Sequence, residues 1–223
     1  MAVYIWENPY NTGNRRMGVH DRKQSPDWFI FRQGQRVSGD PGVGVIEFEM
    51  PCERIRTLDN LANTSGSPVV SPRLAEILTA FAPDDIQLFD VILKAPDGDV
   101  EGYKLVNLTH TVEGVDRERS VLKLSPGDDW IRGFRILFCK PGCMDRHHLA
   151  RLDEFHGKIL VSQALRDHLK RSRLRGLNLC LPEDWYAGML SDAALEKIRA
   201  RHRALGIAPD GSRLTPVPDN EGP

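Results

Sequence analysis

The chain has 223 residues, 40% of them apolar and 27% charged, with 30 Lys and Arg against 31 Asp and Glu and a net charge of −1. That balance exerts no overall pull on nucleic acid or anionic lipid, and the length suffices for one sizeable core or two intimate halves. No basic segment leading into a long apolar run opens the sequence, and no apolar run is long enough to span a bilayer. With four cysteines and no export signal, a reducing cytoplasm is expected rather than a disulfide framework.

The first 45 residues are rich in Asn, Gly, Arg and Pro, with Trp6, Trp28, Phe29, Ile30 and Phe31 as apolar anchors. Ser38–Gly44 reads as a turn cluster rather than a phosphate loop, because Pro41 interrupts its glycines and no strand-to-helix setting surrounds them. "VIEFEM" then sets Val45, Glu47 and Glu49 against Ile46, Phe48 and Met50, the alternation of a half-buried strand.

Ser71 followed by Pro72 predicts a helix start, a hydroxyl to cap free amides and a proline at the first helical position. Leu74, Ile77, Leu78 and Phe81 form its buried stripe, and Pro83 stops it. "IQLFDVIL" and "YKLVNLT" read as strands joined by a hairpin-type turn at Asp97-Gly98, and "FRILFC" and "KILV" as further strands.

"VSQALRDHL" registers on "VSPRLAEIL" without a gap. The offset of 91 from Ser71 to Ser162 also pairs Val70 with Val161, Leu74 with Leu165, Leu78 with Leu169, Ile86 with Leu177 and Leu88 with Leu179. Each copy reads strand end, capping serine, amphipathic helix, turn, strand, which suggests an internal repeat over residues 70–89 and 161–180. A last helix is expected from Ser191 to Gly206, with Leu195, Ile198, His202 and Leu205 on one stripe and Lys197, Arg199, Arg201 and Arg203 opposite, followed by a flexible tail over 207–223.

The segment "CKPGCMDRHH" invites a metal reading through Cys139, Cys143, His147 and His148. Four ligands so close in sequence staple little chain together, however, and Pro141-Gly142 is a turn, so a strand end and polar loop explain the letters better. A metal-dependent hydrolase or nuclease would use His147, His148 and His156 with Asp145, Asp153 and Glu154, though nothing in the spacing demands it. Arg166, Lys170, Arg171, Arg173 and Arg175 form a basic run suited to phosphates or an acidic protein surface, which leaves a nucleic-acid-binding accessory protein as a third reading. No aromatic interleaves the run, so base stacking is unsupported and solvated helix faces are favoured. Asp116 reads as a local cap with Ser120 in reach of it, and no base lies near enough in sequence to make the pair catalytic.

In order, "VVSPRLAEIL", "DDIQLFDVIL", "GYKLVNLTHTVEGVDRERS", "FRILF" and "ILVSQALRDHL" with "RGLNL" resemble the Imm11-type immunity protein family over about residues 69–181. The resemblance implies a non-catalytic protein without cofactor that binds a cognate bacterial effector toxin and blocks it. Ser71, Leu74, Tyr103, Asp116, Ser120, Ser162 and Leu165 are the family-motif positions, with structural roles. A cytoplasmic inhibitor implies a cytoplasmic target, with a nuclease as the leading expectation, and a basic nuclease cleft would meet acidic inhibitor residues. The loop acids Asp84, Asp85, Asp97, Asp99, Asp128 and Asp129 are the candidates for that contact.

The expected fold is α+β, a mixed and largely antiparallel sheet with packed helices and two similar β-α-β units in one compact domain. Its expected parts are a variable region over 1–66, a core over 67–182, a C-terminal helix over 183–206 and the tail.

Overall fold

The computed structural model describes residues 2–7, 17–126 and 130–185, with Ala200 and Ala204. Of the expected C-terminal helix over 183–206 only residues 183–185, which are not α-helical, and those two helical positions are described; the rest of it and the tail lie outside the described residues, as do Asp128 and Asp129.

The strands are β1 (Val3–Glu7), β2 (Val19–His20), β3 (Gly44–Glu47), β4 (Asn60–Leu61), β5 (Val69–Val70), β6 (Ile86–Ala95), β7 (Gly98–Val100), β8 (Lys104–Leu108), β9 (Thr111–Val112), β10 (Val121–Leu124), β11 (Ile131–Ile136), β12 (Leu149–Leu152), β13 (Ile159–Ser162) and β14 (Asn178–Cys180). The α-helices are α1 (Cys52–Arg56), α2 (Pro72–Phe81) and α3 (Gln163–Arg171), and short 3-10 turns cover Trp28–Arg32 and Pro182–Asp184. One sheet runs β2-β3-β6-β8-β5-β4 with β7 added to β6, a second runs β14-β1-β13-β12-β9, and β10-β11 is a separate hairpin. Only β3–β6 and β9–β12 pair in parallel among the described strands, so the expected α+β class with a largely antiparallel sheet is the one observed.

Within the two large sheets lie four-strand units of one spatial arrangement. In the first, β8 is inserted between β5 and β6, and β4 flanks β5. In the second, β1 is inserted between β13 and β14, and β12 flanks β13. Val70 faces Asn60 and Lys104, and its counterpart Val161 faces Leu149 and Tyr4. Leu88 faces Val106, and its counterpart Leu179 faces Trp6. The neighbouring pair is bonded through side chains in both units, Asn107 to Gln87 and Asn178 to Glu7. Between the units the order of the inserted strand in the chain differs: β8 follows its β-α-β, whereas β1 precedes its own.

Capping explains why the two helices start where they do. The hydroxyl oxygens of Ser71 and Ser162 accept the amides of Leu74 and Leu165, each at 3.2 Å. Each is worth about 1 kcal/mol against alanine. The two helices bury their stripes in one shared core, where Leu74, Leu78, Leu165 and Leu169 meet Val70, Val161, Trp6 and Val106. At roughly 1.5–3 kcal/mol for each fully buried large aliphatic side chain, this shared layer is what joins the units. Two further cores cover the opposite faces, one around Phe31, Ile46, Leu93 and Leu105, the other around Ile5, Phe134, Leu137 and Leu160.

Candidate functional site

Where the units meet, each supplies hydrogen-bond acceptors to the other. At the start of β12 the amides of His148 and Leu149 both donate to Asp85 Oδ2, at 2.6 and 3.0 Å, from the loop between α2 and β6. At the start of β4 the amides of Asp59 and Asn60 both donate to the main-chain oxygen of Arg175, at 2.8 and 3.1 Å, from the loop between α3 and β14. Each helix-to-strand loop thus holds the flanking strand of the other unit. The cap serines continue the pattern, since the amides of Ser71 and Ser162 donate to the carbonyls of Asp59 and His148. The hydroxyl of Ser71 donates to Asp59 Oδ1, and Ser162 Oγ lies 2.8 Å from His148 Nδ1.

Asp85 is therefore not the exposed loop acid its sequence neighbourhood suggests; it is 4% exposed. Its second oxygen lies 2.7 Å from His147 Nδ1, and the His110 ring lies 4.2 Å from that of His147, centroid to centroid. The His110 Nε2 atom lies 3.2 Å from the main-chain oxygen of Asp84. Asp84, Asp97 and Asp99 are exposed as expected, but Asp97 also accepts the Cys52 amide at the start of α1, which holds its carboxyl below the usual range.

The four residues of the "CKPGCMDRHH" reading do not converge. Cys139 and Cys143 are paired with each other: the hydrogen bond between the thiols holds Cys143 below the ordinary thiol value and, with burial, pushes Cys139 above it. His147 turns to Asp85, while His148 packs edge-on against Phe81 and faces Ser162. Nor do His147, His148 and His156 form one constellation, because His156 lies beside Asp153 at 3.8 Å. Glu154 is engaged elsewhere, accepting the amides of Gly114 and Val115.

The family-motif positions hold the frame. The Tyr103 hydroxyl sits 2.8 and 2.7 Å from the carbonyls of Ile55 and Leu58, and burial pushes its pKa up to about 12. Asp116 accepts the Arg119 amide, a local cap. Ser120 bonds back to Asp116 through its amide, which donates to the Asp116 carbonyl, while its hydroxyl donates to the Phe138 carbonyl and accepts the Phe138 amide.

Two buried cations went unnoticed in the sequence. Arg151, 0% exposed, donates to the carbonyls of His156 and Phe31 and to Ser67 Oγ, without a carboxylate among these partners. Burial holds its guanidinium below the ordinary range, and nearby Arg32 adds to the shift. The Lys158 ammonium sits 3.2 Å from the centroid of the Trp185 ring, and burial lowers its pKa to about 8. On the surface, Arg166, Lys170 and Arg173 rim a groove of about 290 Å³ floored by Leu169, Leu174, Leu177 and Leu179.

No helix among the described residues is long and apolar enough to cross a membrane. The arrangement is that of a packed α+β scaffold in which Asp85, Asp97 and Glu154 accept main-chain amides of distant segments. A search of curated proteins finds no significant match. The sequence model of the immunity protein family Imm11 matches residues 14–180, three quarters of the chain, and the protein belongs to that family.

Proposed function

We propose that this protein binds and neutralises a cognate bacterial effector toxin, and that the toxin is a nuclease acting in the cytoplasm. Family membership across residues 14–180 is the observation that carries the reading. It is supported by the dispersal of the suspected catalytic residues: His147, His148 and His156 each face a different partner. On this reading the protein is a binder rather than a catalyst.

A nuclease cleft is basic where it holds phosphates, so the inhibitor meets it with acids. Asp84 and Asp99 are the exposed acids best suited to this, since Asp97 is partly committed to α1 and Asp85 is buried. The test is co-expression with the toxic domain encoded beside this gene, counting viable cells, followed by capture of the tagged protein. Rescue with a stoichiometric complex is expected. Rescue without a complex would overturn the binding mechanism, and no rescue would overturn the pairing. Charge reversal then locates the face: Asp84→Lys with Asp99→Lys weakens the complex at least about tenfold, while Lys170→Glu on the basic groove does not.

A further inference from the structure

The clamp on β12 contains more chemistry than holding a strand requires. At the equivalent junction in the first unit, one main-chain oxygen, that of Arg175, accepts both strand amides. Asp85 does the same work with Oδ2 alone, at 2.6 and 3.0 Å, which leaves Oδ1 facing the imidazole of His147. By the strand register, the position of His147 in the second unit is that of Leu58 in the first. A second imidazole, His110, lies against the first. One ligating atom from each of Asp85, His110 and His147 lies within 4.8 Å of the others.

We propose that Asp85, His110 and His147 form a binding site for a divalent transition metal of the zinc class. Two imidazole nitrogens and one carboxylate oxygen are borderline ligands that suit zinc and its neighbours, whereas calcium and magnesium take all-oxygen shells. The second carboxylate oxygen is fixed by two main-chain amides, the kind of outer hydrogen bond that orients a ligating carboxylate. His110 and His147 are both half-buried, so their side of the site is reached from solvent and a water completes the coordination.

Metal–ligand bonds of about 2.0–2.2 Å place ligand atoms roughly 3.4 Å apart, so the His147–Asp85 pair, now at 2.7 Å, opens slightly while His110 moves in. His110 is free to supply that movement, since its ring has one weak polar contact, the 3.2 Å approach to the Asp84 carbonyl. The ion replaces the direct 2.7 Å contact between His147 Nδ1 and Asp85 Oδ1. Its three ligands come from the start of β6, the link between β8 and β9 and the start of β12, so it ties the two units together. A structural metal is expected to join separated segments in this way, and "CKPGCMDRHH" alone does not.

The test is zinc titration of chelator-treated full-length protein, followed by calorimetry and by thermal unfolding with and without zinc. The comparison is between His110→Ala, which leaves the strand clamp intact, and two controls, His156→Ala and Cys143→Ser. The proposal expects one zinc ion per chain, a higher melting temperature with zinc, at least about tenfold weaker binding in His110→Ala, and both controls like the parent. Substoichiometric binding, an unchanged His110→Ala, or loss of zinc in Cys143→Ser would each overturn it. The proposal does not depend on the toxin reading, and a failed rescue in cells leaves it untouched.

Discussion

Asp85 and Arg175 perform one task by two chemistries. A buried carboxylate in one unit and a main-chain carbonyl in the other each accept a pair of amides from the strand that opens the opposite unit. The difference matters under mutation, because one acceptor is a side chain and the other is not.

Removing the Asp85 side chain strands two buried amides and the His147 imidazole. Asp85→Ala is expected to cost about 3 kcal/mol or more, since each unsatisfied buried donor costs about 1–3 kcal/mol. The exposed Arg175 side chain takes no part in its clamp, and Arg175→Ala is expected to stay within about 0.5 kcal/mol. Urea unfolding midpoints of both variants check the contrast. Equal losses would show that the clamp is not what holds β12.

Next to Arg175, the chain turns through Gly176 with φ of +80°, and a Cβ there would meet the Asn60 carbonyl oxygen at 2.4 Å. Gly176→Ala is expected to destabilise by about 1–3 kcal/mol through backbone strain and the clash together. Proteolysis at β4 should quicken alongside, because that strand loses its support. An unchanged melting temperature would contradict the close approach.

Lys158 gives the stability a pH dependence of known sign. Its pKa in the folded protein, about 8, lies below the ordinary 10.5, so between those values the unfolded chain holds a proton that the folded one has released. The Lys158 contribution to stability therefore rises with pH through that window, by on the order of 3 kcal/mol at most. Tyr103, pushed up from 10.0 to about 12, acts oppositely and begins to subtract only above pH 10. The raised thiols of Cys52, Cys139 and Cys180 subtract in the same window, so unfolding midpoints of the parent between about pH 8 and 10 should climb relative to those of Lys158→Met. Parallel curves would rule out Lys158 as the source.

Cysteine labelling should discriminate among the four thiols. Burial raises Cys52 and pushes Cys180 up to about 12, and Cys139 is raised as well, whereas Cys143 is lowered and half-exposed. Thiolate fraction governs alkylation, so Cys143 is expected to react first with iodoacetamide by mass spectrometry. In Cys139→Ser the donor is exchanged for a hydroxyl, and Cys143 should remain the fastest. Prior labelling of Cys180 would reverse the assignment.

Local signals made the helices legible in the sequence. Ser71-Pro72 and Ser162, with leucines at helical spacing, carry their caps and buried stripes in a single turn of chain, and both helices start where those residues place them. The α+β class followed from alternation in segments such as "VIEFEM", although "FRILFC" pairs three residues earlier, over Ile131–Ile136. The site was harder to read. Asp84 and Asp85 stand side by side after a proline, and sequence offers no means of telling that one faces solvent while the other reaches amides more than 60 residues away. His110 was invisible for the same reason, since its neighbours come from β6 and β12. Arg151 sits in a short strand whose partners at Phe31 and Ser67 lie far back in the chain. Such pairings depend on tertiary distance, and no local periodicity encodes them.

The place of β1 has a consequence for synthesis. Among the described strands the first made, Val3–Glu7, lies between β13 and β14, which emerge from the ribosome last. The first unit is complete once β8 has been made, but in the second β1 waits for residues 159–162 before it finds β13 and for residues 178–180 before it finds β14. Until then a ribosome-bound chain carries an unpaired apolar β-strand, the kind of segment that chaperones shield. A chain stopped before β14 leaves the shared core with one helix-bearing unit closed and the other open.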